Sequence, residues 1–149
     1  MAIPSCLVDT NIFLRVARRS DPQHQVADKS LAQLIAQGSV LYYTHQNIAE
    51  LWNAMTRPLV RNGLGLTVDE ADHQVRIIES GMTLLPDNEA VYREWRRIVV
   101  EHAVQGVQVH DARLAASMYV HGVEHILTFN VADFGRFRGL TALHPSAVV

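Results

Sequence analysis

Four carboxylates in this 149-residue chain stand where they could act together: Asp9, Glu50, Asp111 and Asp133, with the amide of Asn130 close to the last. Asp9 ends the short β-type run Cys6-Leu7-Val8. Asp111 opens a helical stretch, and Asp133 follows the run His125–Phe129. Glu50 lies in the first turns of a helical pattern, at the edge of its apolar face. In an open α/β sheet, ligands bind outside the carboxyl ends of the strands. Acids at element ends therefore face a crevice rather than a core. No basic residue lies within two positions of any of the four except Arg113, two beyond Asp111. Carboxylates gathered without cationic partners repel one another, and a divalent cation relieves that repulsion. Oxygen-only ligands select a hard ion, Mg²⁺ or Mn²⁺, over Zn²⁺. One or two such ions activate water, orient a phosphate and stabilise a leaving oxygen, which suits phosphodiester hydrolysis. A plainer reading stands beside this one. Asp9-Thr10-Asn11 can be a strand stop followed by a helix cap, with Thr10 and Asn11 supplying oxygens to unpaired N–H groups. Glu50 can be an ordinary flank glutamate.

The elements that must position these groups alternate along the chain. After the first strand, residues 12–19 read as a short helix. Asp21-Pro22 reads as the start of another, with Pro at the first helical position, ending near Gly38. Val40–Tyr43 is a β-rich run. Thr44 can cap a helix over 45–57, where Ile48, Leu51, Trp52 and Met55 follow helical spacing. Arg61–Leu66 is a loop with two glycines, and its two leucines must pack on something, a partner chain being one option. Thr67 and Glu70 form a capping-box pattern for the next helix, to Ser80-Gly81. Met82–Leu85 is a third strand. Asp87 is the expected cap of a long helix that stops at Gly106, and Val107-Gln108-Val109 reads as extended. His110-Asp111 opens a helix ended by Gly122. A fourth strand spans 125–129, and Thr141-Ala142-Leu143 can add an edge strand. Strands alternating with helices imply an α/β fold with a parallel sheet of four to five strands. The pattern does not yield their order.

Length and composition narrow the classes. The size fits a single domain over residues 1–149, and 48% hydrophobic content fits a globular chain. No apolar run is long enough to span a bilayer, and Met1–Ser5 carries no basic n-region, so neither membrane nor signal peptide is expected. The lone Cys6 cannot form an internal disulfide, which fits a reducing cytoplasm. The net charge of −2 argues against a generally basic nucleic-acid surface, but twelve arginines face only one lysine, Lys29. Arg binds phosphate bidentately where Lys is a point charge. Arg18-Arg19, Arg57 with Arg61, and Arg96-Arg97 are local clusters, though each also reads as solvated helix surface.

The segments Leu7-Val8-Asp9-Thr10-Asn11, Asn47-Ile48-Ala49-Glu50-Leu51, His110-Asp111-Ala112 and Leu127–Phe134 together resemble the PIN-domain ribonucleases, and within them the VapC-like toxins of bacterial toxin–antitoxin pairs. Each segment is short, but the four lie in family order and spacing over almost the whole chain. The resemblance implies a PIN-like three-layer α/β/α fold with strand order 3-2-1-4-5. It implies a Mg²⁺-dependent endoribonuclease, with Mn²⁺ able to substitute, leaving 5′-phosphate and 3′-hydroxyl ends. Asp9, Glu50 and Asp111 match the three main acidic positions. The fourth is occupied here by Asn130, and Asp133 can supply the missing carboxylate. Thr10, Asn11 and Thr128 match positions that hydrogen-bond the acids or the substrate phosphate. An RNA substrate, a cognate antitoxin protein and a homodimer are the implied partners.

The Asn at position 130 also supports a second reading, a degenerate PIN-like module that binds RNA or a protein without catalysis. Other classes fit poorly. His121 and His125 are separated by Gly122, so a closed histidine zinc set is not expected. A Gly-x-x-x-x-Gly-Lys loop is missing, which argues against an NTPase. A receiver pocket would need a lysine after a late strand, and an aspartyl phosphatase a second Asp at position 11, where Asn stands. Trp52 and Trp95 fall at helical spacing with aliphatic residues and read as core.

Overall fold

Strand β1 (Ser5–Val8) runs through the middle of the sheet, and its side chains explain the layering. Successive residues on a strand point to opposite faces. Cys6 and Val8 join one apolar cluster and Leu7 joins the other, all three fully buried. A strand buried on both faces belongs to a parallel sheet covered by helices on each side.

The computed structural model describes residues 2–149. Within them the order after β1 is α1 (Thr10–Ala17), α2 (His24–Ala36), β2 (Val40–Thr44), α3 (His45–Thr56), α4 (Val68–Gly81), β3 (Thr83–Leu85), α5 (Glu89–Glu101), α6 (Gln108–His121), β4 (His125–Leu127) and β5 (Thr141–Leu143). All neighbouring strands pair in parallel, in the order β3-β2-β1-β4-β5. The five-stranded sheet is thus the α/β/α arrangement expected. Residues Ile12, Leu31, Leu51, Met55 and Val75 from α1 to α4 build the core on one face. Val91, Ile98, Leu114 and Met118 from α5 and α6 build it on the other. Ala112, Ala115 and Ala116 are fully buried, and their small side chains let α6 lie close to the strands. The chain fills one half of the sheet through β3. It then crosses on the α5–α6 face to place β4 beside β1. That change of direction is the switch point where strand ends leave a crevice.

Several boundaries differ from the sequence pattern for local reasons. Asp9, not Thr10 or Asn11, is the cap of α1: its Oδ1 accepts from the Thr10 N–H at 2.8 Å. Helix α2 starts at His24, because Asp21 uses its Oδ1 to accept from the Gln23 N–H and holds Pro22 in a turn before the helix. Asn88, not Asp87, caps α5. That helix ends at Glu101, and Ala103 turns the chain with φ 48. Gln108 and Val109 are not extended but form the first turn of α6. β4 closes at Leu127, and beyond it the Phe129 and Asn130 N–H groups donate to the Asn11 and Thr128 side chains instead of to a neighbouring strand.

The segment after α3 folds back on the end of that helix. Leu64 N–H donates to Ala54 O at 3.0 Å, Gly65 N–H to Arg57 O at 2.9 Å and Leu66 N–H to Met55 O at 2.8 Å. These bonds satisfy carbonyls that a helix terminus leaves unpaired. Leu64 and Leu66 pack on this chain's own core. Gly63 makes the return possible: a Cβ there would lie 2.0 Å from Arg57 O. Gly63→Ala should therefore lower unfolding stability by roughly 2–3 kcal/mol in urea titration. Gly81→Ala, at the open end of α4 with nothing within 4 Å, should be neutral or gain up to about 1 kcal/mol.

Candidate acidic site

Asp9 is 8% exposed, and every hydrogen bond to its carboxylate comes from a group whose position the fold dictates. Oδ1 caps α1. Oδ2 accepts from Thr128 Oγ1 at 2.7 Å and from Asn11 Nδ2 at 3.3 Å. Thr128 is itself fully buried at the end of β4, and its Oγ1 accepts from Asn11 Nδ2 at 3.2 Å and from the Asn130 N–H at 3.0 Å. Asn11 Oδ1 in turn accepts from the Phe129 N–H at 3.2 Å. The ends of the two adjacent central strands are thereby locked around one carboxylate.

Glu50 is held from the other side. Thr10 Oγ1 donates to Glu50 Oε1 at 3.1 Å and accepts from Asn47 Nδ2 at 3.1 Å. Asn47 is fully buried and completes a capping box with Thr44, whose N–H and hydroxyl both donate to Asn47 Oδ1. Gln46 Nε2 donates to Glu50 Oε1 at 3.4 Å and to His110 O at 3.0 Å, linking α3 to the start of α6. Gln46 Oε1 is buried and has no partner among the described residues. Asp111, half-buried, lies in the first turn of α6. Asp133 lies in a short 3-10 turn, Val131–Phe134, and is exposed, as are Glu50 and Asn130.

The electrostatics show that these groups share one region. Burial raises the Asp9 pKa above the ordinary carboxylate value, against the lowering bonds from Thr128 and Thr10, and the charges of Glu50 and Asp133 raise it further. Asp111 is pushed up to about 6, first by burial and then by the charges of Asp9, Asp133 and Glu50; Arg136 opposes the shift. The four acids chosen from the sequence are thus brought within one another's fields. Among the described residues, no three His, Cys, Asp or Glu side chains converge closely enough to form a metal-ligand group. The donor set itself suits a hard divalent cation: it is all oxygen, its like charges oppose one another, and Arg136 is the cation that acts on Asp111.

Three participants were not assigned from the sequence. Asn47 and Gln46 position Glu50, and Arg136 balances Asp111. Asn47 had a readable signal, since Thr44 followed by an amide three residues on is the pattern of a capping box. Gln46 and Arg136 gave none, because their contacts run to α6.

A family model described as the PIN domain matches residues 6–140. A search of the curated proteins finds no significant match. Among solved structures, the fold is similar to VapBC2 of Rickettsia felis bound to a DNA fragment from its promoter, with TM-score 0.68, 13% identity, and 93% of this chain and 97% of that chain covered. It is similar to FitAcB of Neisseria gonorrhoeae, with TM-score 0.64, 18% identity, and 95% and 98% covered. It is also similar to VapC20 of Mycobacterium tuberculosis, a sarcin–ricin-loop-cleaving toxin, with TM-score 0.59, 18% identity, and 81% and 86% covered.

The raised Asp111 pKa has a stability consequence. The folded state holds this proton more tightly than the unfolded state, where the carboxyl keeps its ordinary value of 3.8. Its unfavourable contribution is therefore full above about pH 6, declines as pH falls through that value, and vanishes below about pH 4. In chelator-treated protein, Asp111→Asn should melt higher than wild type at pH 7.5, with the gap closing by pH 4.5. An equal gap at both pH values would contradict the assigned cause.

Proposed function

Because the chain belongs to the PIN domain family, we propose that it is a metal-dependent endoribonuclease, the toxin of a toxin–antitoxin pair. The observation that supports this reading is that Asp9, Glu50, Asp111 and Asp133, from four separated segments, act on one another's charge at the carboxyl edge of a parallel sheet. RNA as substrate is supported by the fold shared with a toxin that cleaves the sarcin–ricin loop. An antitoxin partner is supported by a further solved structure of similar fold, a toxin–antitoxin complex from Klebsiella pneumoniae. Assembly as a homodimer in the cytoplasm completes the proposal. Among the described residues no helix is long and apolar enough to cross a membrane.

Asp9, Glu50, Asp111 and Asp133 would hold Mg²⁺ or Mn²⁺, with Asn130 completing the oxygen set. Such an ion, when bound, supplies Lewis acidity for the attacking water and the leaving oxygen of a phosphodiester. The chain's own residues do the positioning. Thr128 and Asn11 hold Asp9 Oδ2 in one direction while the α1 terminus holds Oδ1. The Asn47–Thr10 pair orients Glu50. Asp111 must give up its proton to act as a ligand, and Arg136 favours that ionised form. Protons thus compete with the cation at Asp111 below about pH 6.

A binding module without catalysis is the second reading. It is favoured by the amide at position 130 and by the lack of any three converging metal ligands among the described residues. One measurement separates the two. If the acids hold Mn²⁺, saturating ion at about 100 times its Kd should stabilise wild type by about 2.7 kcal/mol. An Asp9→Asn, Asp111→Asn double variant should show no such gain and no RNA cleavage. Absence of a Mn²⁺ effect on wild type would favour the binding module. Thr128→Val should cut Mn²⁺-dependent cleavage about 10- to 100-fold, because it frees Asp9 to turn. Undiminished cleavage in that variant would remove Thr128 from the positioning set.

A further inference from the structure

We propose that the groove between the N-terminal turns of α5 and α6 is a nucleobase pocket, and that it receives a base flanking the phosphate cleaved at the acidic site. The inference rests on the ribonuclease reading and adds to it the part of the substrate that gives selectivity. The groove measures about 580 Å³, ample for one nucleotide unit. Tyr92, Trp95 and Val91 form its apolar wall, and Asn88, His110 and Arg113 bring polar groups to it.

Three observations carry the assignment. The first is continuity with the acids. His110 lines the groove and directly precedes Asp111. The side-chain amide of Gln46 donates both to the His110 carbonyl at 3.0 Å and to Glu50 Oε1 at 3.4 Å. A single side chain therefore links the backbone of a groove residue to one of the carboxylates. The second is the aromatic pair. Tyr92 is 58% exposed, unusual for so large a ring on a helix whose other face is core. Trp95 is fixed by its Nε1–H, which donates to Val109 O at 2.9 Å. The two rings lie 6.3 Å apart with an interplanar angle of 36°, and so present a wall rather than a closed stack. Unpaired bases in RNA are recognised by stacking on such rings and by hydrogen bonds to their edges.

The third observation is charge. Two acids line the groove, Asp87 and Glu89, and both are matched: Asp87 by Arg113, and Glu89 by Arg93 at 2.6 Å. A nucleotide entering here avoids the repulsion that the metal-free acids would exert. Asn88 uses Oδ1 to cap α5, and its amide N–H donors make no hydrogen bond among the described residues. They remain available to a base edge. Apolar walls with a few placed polar groups beside a reactive centre are the usual make-up of a specificity pocket.

The test uses the full chain carrying Asp9→Asn and Asp111→Asn, which stops cleavage and removes two repelling charges. Fluorescein-labelled 12-mers of A, C, G and U, and an abasic 12-mer of the same backbone, are titrated by anisotropy. At least one base-bearing strand should bind more tightly than the abasic one. Adding Tyr92→Ala should weaken that strand about ten-fold, towards the abasic level, and leave the abasic strand unchanged. Tyr92→Phe should retain the affinity, and the salt dependence should be the same in all three proteins, because stacking displaces no counterions. A Tyr92→Ala protein that binds every strand as tightly as the parent double variant would overturn the pocket, as would equal losses on base-bearing and abasic strands. A change in sedimentation with unaltered RNA affinity would also overturn it, by assigning this face to a second copy of the chain. Failure of any 12-mer to bind the parent double variant is a different result: it removes RNA as the ligand, and the pocket falls with it.

Discussion

A carboxylate buried at the end of a central strand is costly unless something compensates it, and much of the acidic crevice of this protein can be understood as the answer to that cost at Asp9. The helix that follows begins immediately, so that a backbone N–H meets one oxygen. The neighbouring strand ends in a threonine whose hydroxyl meets the other. An asparagine in the first turn of the helix bridges the two and also holds the backbone beyond the neighbouring strand. These partners compensate Asp9 only in part, since its proton affinity remains raised. A carboxylate compensated only in part, within the fields of other acids, is one whose ionised form a divalent cation would favour.

The topology places those partners. Strands β1 and β4 are far apart in sequence and adjacent in the sheet because the chain builds outward to β3 before crossing back. Helices on the α1–α4 face bring Thr10, Asn47 and Glu50 to the crevice, and the opposite face brings Asp111. The acids therefore arrive from both layers, and Gln46 ties the layers together at the crevice itself. The groove beside α5 opens where the start of α5 meets that of α6, so the same geometry that gathers the charges leaves an apolar wall next to them.

Much of this could be read before any coordinates. Alternating strand and helix patterns implied the parallel sheet. The acids stood out because three of them fell at element ends with Arg113 the one cation within two positions in sequence, and the four-segment resemblance supplied the strand order that periodicity could not. Where the reading failed, the cause was competition between adjacent polar residues for one role. Asp87 and Asn88 could each have capped α5, and the choice of Asn88 depends on Arg113 from α6 taking Asp87. Thr10 and Asn11 looked like the source of capping oxygens, whereas the Asp9 carboxylate takes that role. Arg136 could not be found from its neighbours in sequence because its effect on Asp111 acts through space.

The bond between Thr128 and Asp9 spans 119 residues, and this sets when the crevice can exist. Contacts of that separation form late, after the loop between them has closed. A chain still being synthesised can present α1–α4 with their core residues while Asp9 lacks its principal hydrogen-bond donor. The first four helices are thus synthesised before the acidic crevice can be completed. The order of chain emergence therefore delays whatever chemistry the crevice performs.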